Sequence, residues 1–133
     1  MKKILLNLFL PCIVGFLSIS CADDDTMNRN GSEIFATWSL INYQCCLSPS
    51  ETYNRSEILW TFSNNGELSI AINTKLDENS QIPFQNSTTV AYTKTETEIT
   101  IDQLTYDYRI EESGDLILSD SPASDGPIII LRK

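Results

Sequence analysis

The stretch EILWTFSNNGELSIAINT, residues 57–74, contains the pattern that decides the fold. Large apolar side chains occupy every second position on both sides of a short polar segment: Ile58, Trp60, Phe62, Leu68, Ile70 and Ile72. Alternation with a period of two places such side chains on one face of a β-strand. The segment Asn64-Asn65-Gly66 supplies the positive φ angles of a tight hairpin turn. The stretch therefore predicts a β-hairpin with one buried face.

The rest of the chain contains similar short runs separated by turn signals, and no window shows a convincing helical period. The predicted strands are Thr37–Gln44, Glu57–Ser63, Glu67–Thr74, Thr88–Lys94, Glu98–Asp102, Leu104–Glu111, Leu116–Ser119 and Ile128–Arg132. Consecutive strands joined by tight turns favour an up-and-down meander that closes on itself and so removes its exposed edges. The prediction is an all-β fold, a small eight-stranded antiparallel barrel, with a two-sheet β-sandwich as the alternative.

The large apolar residues have two interpretations, because eight strands leave an interior that fits either side chains or one small ligand. The expected interior residues are Trp38, Leu40, Ile58, Trp60, Phe62, Leu68 and Ile70. They either fill a core or line a cavity for an apolar molecule. In the first strand, Ile41 and Tyr43 are expected on the face opposite Trp38 and Leu40.

Two further groups of residues are candidate sites. Cys45 and Cys46 are adjacent, and three interpretations stay open: two small apolar residues on opposite faces, a disulfide between neighbours, or a thiol pair that links to a partner or is redox-active. The tyrosines either form a binding surface or pack half-buried with the hydroxyl in water. They are Tyr43, Tyr53, Tyr92, Tyr106 and Tyr108.

Composition excludes several classes of function. The chain contains no histidine, which removes the commonest general base and the usual mixed zinc ligand sets. Without residues 1–20 it carries seven cationic against 18 acidic side chains, a net charge of −11, which opposes binding to nucleic acid. No phosphate-binding, dinucleotide-binding or nucleophile-elbow motif is present. We therefore expect neither an enzyme nor a bound metal or cofactor.

The amino terminus has the parts of an export signal. Lys2 and Lys3 precede an apolar run from Ile4 to Leu17, and small residues lie just before Cys21. The run is shorter than the roughly 20 apolar residues of a membrane-spanning helix. Residues 1–20 are therefore expected to be a signal peptide, residues 21–30 a polar tether, and residues 31–133 the β domain.

The sequence Leu17-Ser-Ile-Ser-Cys21 resembles the lipobox of bacterial lipoproteins, in the looser form of the Bacteroidetes. Asp23, Asp24 and Asp25 resemble the acidic tag that directs such lipoproteins to the outer face of the outer membrane, and Asp25-Thr26-Met27 is similar to the O-glycosylation sequon of that phylum. The resemblance implies a Cys21 that carries acyl chains such as palmitate. Two or more chains hold a protein durably on a membrane, because each buried CH₂ contributes about 0.8 kcal/mol.

Three patches in the β domain resemble the small lipocalin-like lipoproteins of the Bacteroidetes. They are Ala36-Thr-Trp38-Ser-Leu40, Ile58-Leu-Trp-Thr-Phe62 and Ala123-Ser-Asp-Gly-Pro127. The resemblance implies a lipid-anchored barrel at the cell surface rather than a particular activity. We expect a binding module for a small apolar molecule or a partner protein, and the alternative is an interaction lipoprotein with a filled core and no small-molecule ligand.

Overall fold

The hairpin of residues 57–74 forms as its alternation predicts. Trp60 lies opposite Ile70 in the antiparallel pair, and Phe62 lies opposite Leu68. Gly66 adopts a φ of 83° in the turn, a conformation that costs an L side chain about 1–2 kcal/mol. The computed structural model describes residues 34–133, and this hairpin forms part of a continuous antiparallel sheet within them.

Nine strands and a short 3₁₀ helix are described, numbered here in chain order. They are β1 Thr37–Gln44, β2 Glu51–Thr52, β3 Ile58–Phe62, β4 Glu67–Ile72, β5 Thr88–Lys94, β6 Glu98–Ile101, β7 Leu104–Ile110, β8 Leu116–Ser119, the 3₁₀ helix Pro122–Ser124, and β9 Ile128–Arg132. The eight predicted strands are all present, with bounds that differ by two residues at most. Strand β2 is an addition that the alternation did not predict.

The sheet closes into a barrel because its first and last long strands pair. Strand β1 pairs with β9 from Ser39 opposite Arg132 to Gln44 opposite Ile128, and every other long strand pairs with its neighbour in the chain. The eight-stranded meander barrel is thereby confirmed, and the two-sheet sandwich is wrong. Strand β2 pairs only with the end of β1, through Asn42 and Tyr43.

A register shift in β1 changes which side chains face the interior. The pairing with β9 is irregular between Leu40 and Asn42. A bulge of this kind inserts one residue and reverses the alternation beyond it. Tyr43 is consequently buried with Trp38 and Leu40, and Ile41 is only partly buried. The expectation that Tyr43 shares a face with Ile41 is therefore wrong.

Apolar side chains from every long strand occupy the barrel interior. The seven interior residues expected from the sequence are each 0–2% exposed. Trp60 packs near Phe62, with ring centroids 6.4 Å apart, and Phe62 packs edge-on against Tyr92 at 5.2 Å. These contacts place aromatic rings along the middle of the barrel. Of the two interpretations, the one in which these residues fill a core is therefore the better description.

The two ends of the barrel differ in how the chain closes them. One end, called here the turn end, carries the tight turns 63–66, 95–97 and 111–115 and receives the chain at Ile34. The other, the loop end, carries residues 45–57, 73–87, 102–103 and 120–127. Three of these four connections are long, and the longest joins β4 to β5.

Hydrogen bonds from buried rings seal the turn end. The Trp38 indole Nε1 donates to the Ile34 carbonyl at 2.9 Å. The Tyr92 hydroxyl donates to the Ser63 carbonyl at 2.6 Å, and the Tyr108 hydroxyl donates to the Thr95 carbonyl at 2.8 Å. Each ring thus fixes the backbone at its own part of the rim.

The expected signal peptide, the lipid-bearing Cys21, the tether and the tag of Asp23, Asp24 and Asp25 lie outside the described residues. Between Ile34 and Lys133, no helix is long and apolar enough to cross a membrane.

Candidate functional site

A carboxylate on β2 organises the loop end. Glu51 accepts hydrogen bonds from the Tyr53 hydroxyl at 2.5 Å, the Ser80 hydroxyl at 2.7 Å and the Gln81 backbone N–H at 2.7 Å. Ser80 and Gln81 belong to the long connection between β4 and β5, so Glu51 ties that connection to β1 through β2. Charge-assisted bonds of this kind are about twice as strong as neutral ones.

The hydrogen bonds also set the ionisation of this cluster. Burial raises the pKa of the Glu51 carboxyl, but donation from Tyr53, Gln81 and Ser80 outweighs burial, and the pKa lies below its usual value. Burial and the bond to Glu51 raise the pKa of Tyr53 to about 12. Glu51 is therefore the anionic acceptor of this cluster and Tyr53 a neutral donor at neutral pH.

The β4–β5 connection covers the barrel with its own apolar residues. Ile82 is 4% exposed and belongs to the core cluster, with Leu76 and Phe84 packed against it. The Phe84 ring meets Trp60 edge-on, with centroids 5.7 Å apart. The Gln85 side chain holds the segment by donating to the Ile82 carbonyl at 2.8 Å. This loop therefore extends the core at the loop end.

Cys45 and Cys46 follow β1 at the loop end, and their sulfur atoms are joined as a disulfide. Of the three interpretations left open by the sequence, the structure contains the disulfide between neighbours. Cys45 is 9% exposed and part of the core, while Cys46 is exposed. The Cys46 backbone N–H donates to the Asp125 carbonyl at 2.9 Å, which joins this segment to the connection between β8 and β9.

A shallow cleft of about 90 Å³ lies between the disulfide and the β8–β9 connection. Pro122, Asp125 and Ile128 line its far side. Leu47, which also lines it, is 86% exposed and is the most exposed of the large apolar residues described. Such a cleft matches the size of one aliphatic side chain better than that of a drug-sized ligand, whose pockets are typically about 300–1,000 Å³.

Negative charge predominates around the loop end. The connections and strand termini there carry seven carboxylates and two cationic side chains: Glu51, Glu57, Asp77, Glu78, Asp102, Asp120 and Asp125 against Arg55 and Lys75. The remaining cationic residues of the described chain lie at or near the turn end, where Lys133 stands over the Trp38 ring at 4.6 Å. The loop end thus presents a field that favours cationic groups.

The predicted site residues divide between the interior and the loop end. Trp38, Leu40, Ile58, Trp60 and Phe62 are buried in the core. None of them lines the cleft beside the disulfide.

The tyrosines do not form the stacking surface that was one interpretation of them. Tyr43, Tyr92, Tyr106 and Tyr108 are only 4–6% exposed, with their rings inside the barrel. Tyr53 is partly buried beside Glu51. The packing interpretation therefore describes them better, although their burial exceeds what alternation alone indicated.

Glu51 is the main residue that sequence reasoning missed. It lies in a two-residue strand that is too short to show an alternation. Two of its donors, Ser80 and Gln81, are 29 and 30 residues away in the chain, and the third is the nearby Tyr53. The only sequence signal was an acid beside Tyr53 in a segment of turn-forming residues, and such a signal is common in exposed loops.

Within residues 34–133, no group of three or more acidic, cysteine or histidine side chains is arranged to hold a metal ion. Comparison of the chain with protein-family models, with curated proteins and with solved structures gives no match.

Proposed function

We propose that the protein is a lipid-anchored lipoprotein of the bacterial outer membrane whose barrel presents its loop end to a partner at the cell surface. The proposal joins the lipobox at Cys21, the acidic tag of Asp23, Asp24 and Asp25, and the geometry of the barrel. It includes the resemblance to small lipocalin-like lipoproteins of the Bacteroidetes, and it assigns the protein a binding role rather than catalysis.

The observation that carries the proposal is the position at which the chain enters the barrel. Ile34 is buried at the turn end, where its carbonyl accepts the Trp38 indole N–H. A tether that arrives there from Cys21 would hold the turn end toward the membrane. The three long connections would then point outward, and long connections on a rigid scaffold are where binding residues concentrate.

The filled interior favours a partner at the surface over an enclosed ligand. Trp38, Trp60 and Phe62 are the largest of the fully buried side chains, and Phe84 packs onto Trp60 from the covering loop. An apolar molecule would have to displace these rings from a close-packed core, where overpacking costs about 1–3 kcal/mol. A small apolar ligand is therefore the second candidate, and native mass spectrometry of gently extracted protein tests for it.

The anchor is tested with a matched pair of cysteine variants. Cys21→Ala should abolish metabolic labelling with an alkyne fatty acid and release the domain from the membrane fraction. Cys12→Ala, within the expected signal peptide, should leave both unchanged. Equal membrane retention of the Cys21→Ala variant and the unaltered protein would refute the anchor.

The outward direction of the loop end is tested on intact cells with a photo-crosslinking amino acid at single positions. Leu47 and Asn79 are exposed at the loop end, and Ser113 is an exposed control at the turn end. The proposal predicts a discrete crosslinked species from the first two positions and none from the third. Crosslinks from Ser113 alone would show that the recognition surface has been assigned to the wrong end.

A further inference from the structure

The five tyrosines of the barrel differ in what their hydroxyls contact. Tyr92 and Tyr108 donate to backbone carbonyls at the turn end, and Tyr53 donates to Glu51. Tyr43 and Tyr106 make no side-chain hydrogen bond within residues 34–133, although the two residues are only 6% and 4% exposed. The barrel therefore contains two buried phenols without a protein partner, both near the loop end.

The strands bring these two phenols together. The bulge in β1 turns Tyr43 inward, one residue before the strand ends at the loop end. Tyr106 is the third residue of β7, which begins at that same end. Both side chains therefore lie inside the barrel near its loop end. Burial, followed by the charges of Tyr43 and Asp120, raises the pKa of Tyr106 to about 12.

Both hydroxyl oxygens must keep some contact with solvent. Within the described chain, no side-chain nitrogen or oxygen is fully enclosed without a hydrogen-bond partner. A buried hydroxyl left unsatisfied would cost about 1–3 kcal/mol, so water or a ligand has to meet these two groups. The space in which these oxygens meet solvent, at the loop-end side of the core, is called here the recess.

The charges around the recess select the kind of ligand. Burial raises the pKa of Tyr43, and the nearby charge of Glu51 raises it further. Asp120 likewise raises the pKa of Tyr106. Neutral phenols near carboxylates offer oxygen acceptors in a negative field. These groups suit a cation and oppose an anion, because ammonium groups donate to oxygen acceptors and are attracted to carboxylates.

We propose that Tyr43 and Tyr106 form the floor of a subsite for an alkylammonium group, supplied by a lysine side chain of the partner protein. The inference rests on the proposed function, because the partner protein supplies the lysine. The affinity of the subsite for an ammonium group rests on the two phenols. The seven carboxylates of the loop end attract a basic surface, and the subsite receives one side chain from it.

The test uses protein labelled with ¹³C at tyrosine Cζ and titrated with Nα-acetyl-lysine-N′-methylamide. Saturable shifts confined to the Tyr43 and Tyr106 resonances are expected, with Tyr92 and Tyr108 unchanged. The Nε-acetylated form of the probe lacks the charge and should produce no saturable shift. Equal responses to both probes, or no saturable response to either, would overturn the proposal and leave a hydrated recess only.

Variants separate recognition from folding. Tyr106→Phe removes one oxygen acceptor and should weaken binding about tenfold, since a hydrogen bond to a charged group contributes that much. Tyr92→Phe removes a hydroxyl from an equally buried ring at the turn end and should leave affinity unchanged. Asp120→Asn, an exposed change with no effect expected on the fold, should also weaken binding. Unchanged affinity in both Tyr106→Phe and Asp120→Asn would refute the subsite.

A third probe identifies the source of the ammonium group. n-Butylamine carries the same group without flanking peptide bonds. Tighter binding of the lysine probe supports a protein lysine, whereas tighter binding of n-butylamine assigns the recess to free amines and overturns that part. If the probes fail while the loop-end crosslinks at Leu47 persist, the subsite is wrong and the proposed function stands. If the probes bind but those crosslinks are absent, the subsite stands and the proposed function is wrong.

Discussion

Truncation of Trp60 is the sharpest test of the filled interior. This side chain is 1% exposed at the centre of the barrel, and it contacts Phe62 and the covering residue Phe84. Replacing a buried tryptophan with alanine typically costs about 3–5 kcal/mol. The edge-on contact with Phe84 is worth about 0.5–1.5 kcal/mol beyond its area, so we expect a loss in the upper part of that range.

Such a loss is a large share of the stability of a small domain, which is typically about 5–15 kcal/mol. The melting temperature of Trp60→Ala should fall by about 15–40 °C, since 1 kcal/mol corresponds to roughly 4–8 °C at this size. Urea unfolding followed by far-UV circular dichroism measures the free energy directly, with an unchanged slope expected. Leu59→Ala, on the outer face beside it, is the control and should cost roughly 1 kcal/mol.

The cavity left by Trp60→Ala provides a second measurement. An apolar cavity of about 150 Å³ stays dry and binds benzene, so benzene should raise the melting temperature of the variant and leave the unaltered protein unchanged. The reasoning is refuted if Trp60→Ala costs no more than Leu59→Ala, because Trp60 would then line an open space. Stabilisation of the unaltered protein by benzene would lead to the same conclusion.

Three further predictions concern the backbone and the ionisable groups. Gly126→Ala should destabilise the fold strongly, because a Cβ there would lie 1.7 Å from a backbone oxygen. Gly114→Ala has open space around the new Cβ but a φ of 87°, so it should cost only about 1–2 kcal/mol. The melting temperatures of the two variants compare these costs. Hydrogen bonds from Arg132 at 2.8 and 2.7 Å lower the pKa of Asp115, so its contribution to stability is lost as pH falls below about 4, and Asp115→Asn should flatten that acid slope in urea unfolding. Burial raises the pKa of Tyr106 to about 12, so stability should decline above about pH 10 as the unfolded chain ionises, and Tyr106→Phe should reduce the decline.

Each of these three has a distinct contrary result. Equal melting temperatures for the two glycine variants would mean that the close approach at Gly126 relaxes freely. An acid slope that is the same with and without Asp115 would show that its ion pair with Arg132 contributes nothing measurable. Alkaline unfolding that is unaffected by Tyr106→Phe would assign that decline to other groups.

The strand order of the barrel could be predicted from local signals. Alternation at Ile58, Trp60 and Phe62 and the turn at Gly66 specify a hairpin without reference to the rest of the chain. Repeating the same logic along the sequence gives eight strands, and strands that follow one another in the chain usually pair or lie side by side. Barrel closure then follows because it pairs the two remaining edges.

The loop end could not be predicted, because its contacts join residues with no local pattern. The bulge after Leu40 reverses the face of Tyr43, and nothing in an otherwise regular alternation marks it. Glu51 accepts hydrogen bonds from Ser80 and Gln81, which lie in the long β4–β5 connection. Cys45 and Cys46 are compatible with thiols or a disulfide on sequence alone, because their pairing depends on the backbone conformation at the end of β1.

Pairing of β1 with β9 also affects how the barrel folds. Residues 39–44 meet residues 128–132, so the first strand to be synthesised waits for the last one before the ring exists. Contacts so distant in sequence slow folding, because the entropy of closing the chain is lost before the contact is gained. Until β9 arrives, both β1 and β8 expose unpaired edges of the kind that aggregate. The five residues Ile128–Arg132 thus determine how long the chain remains vulnerable.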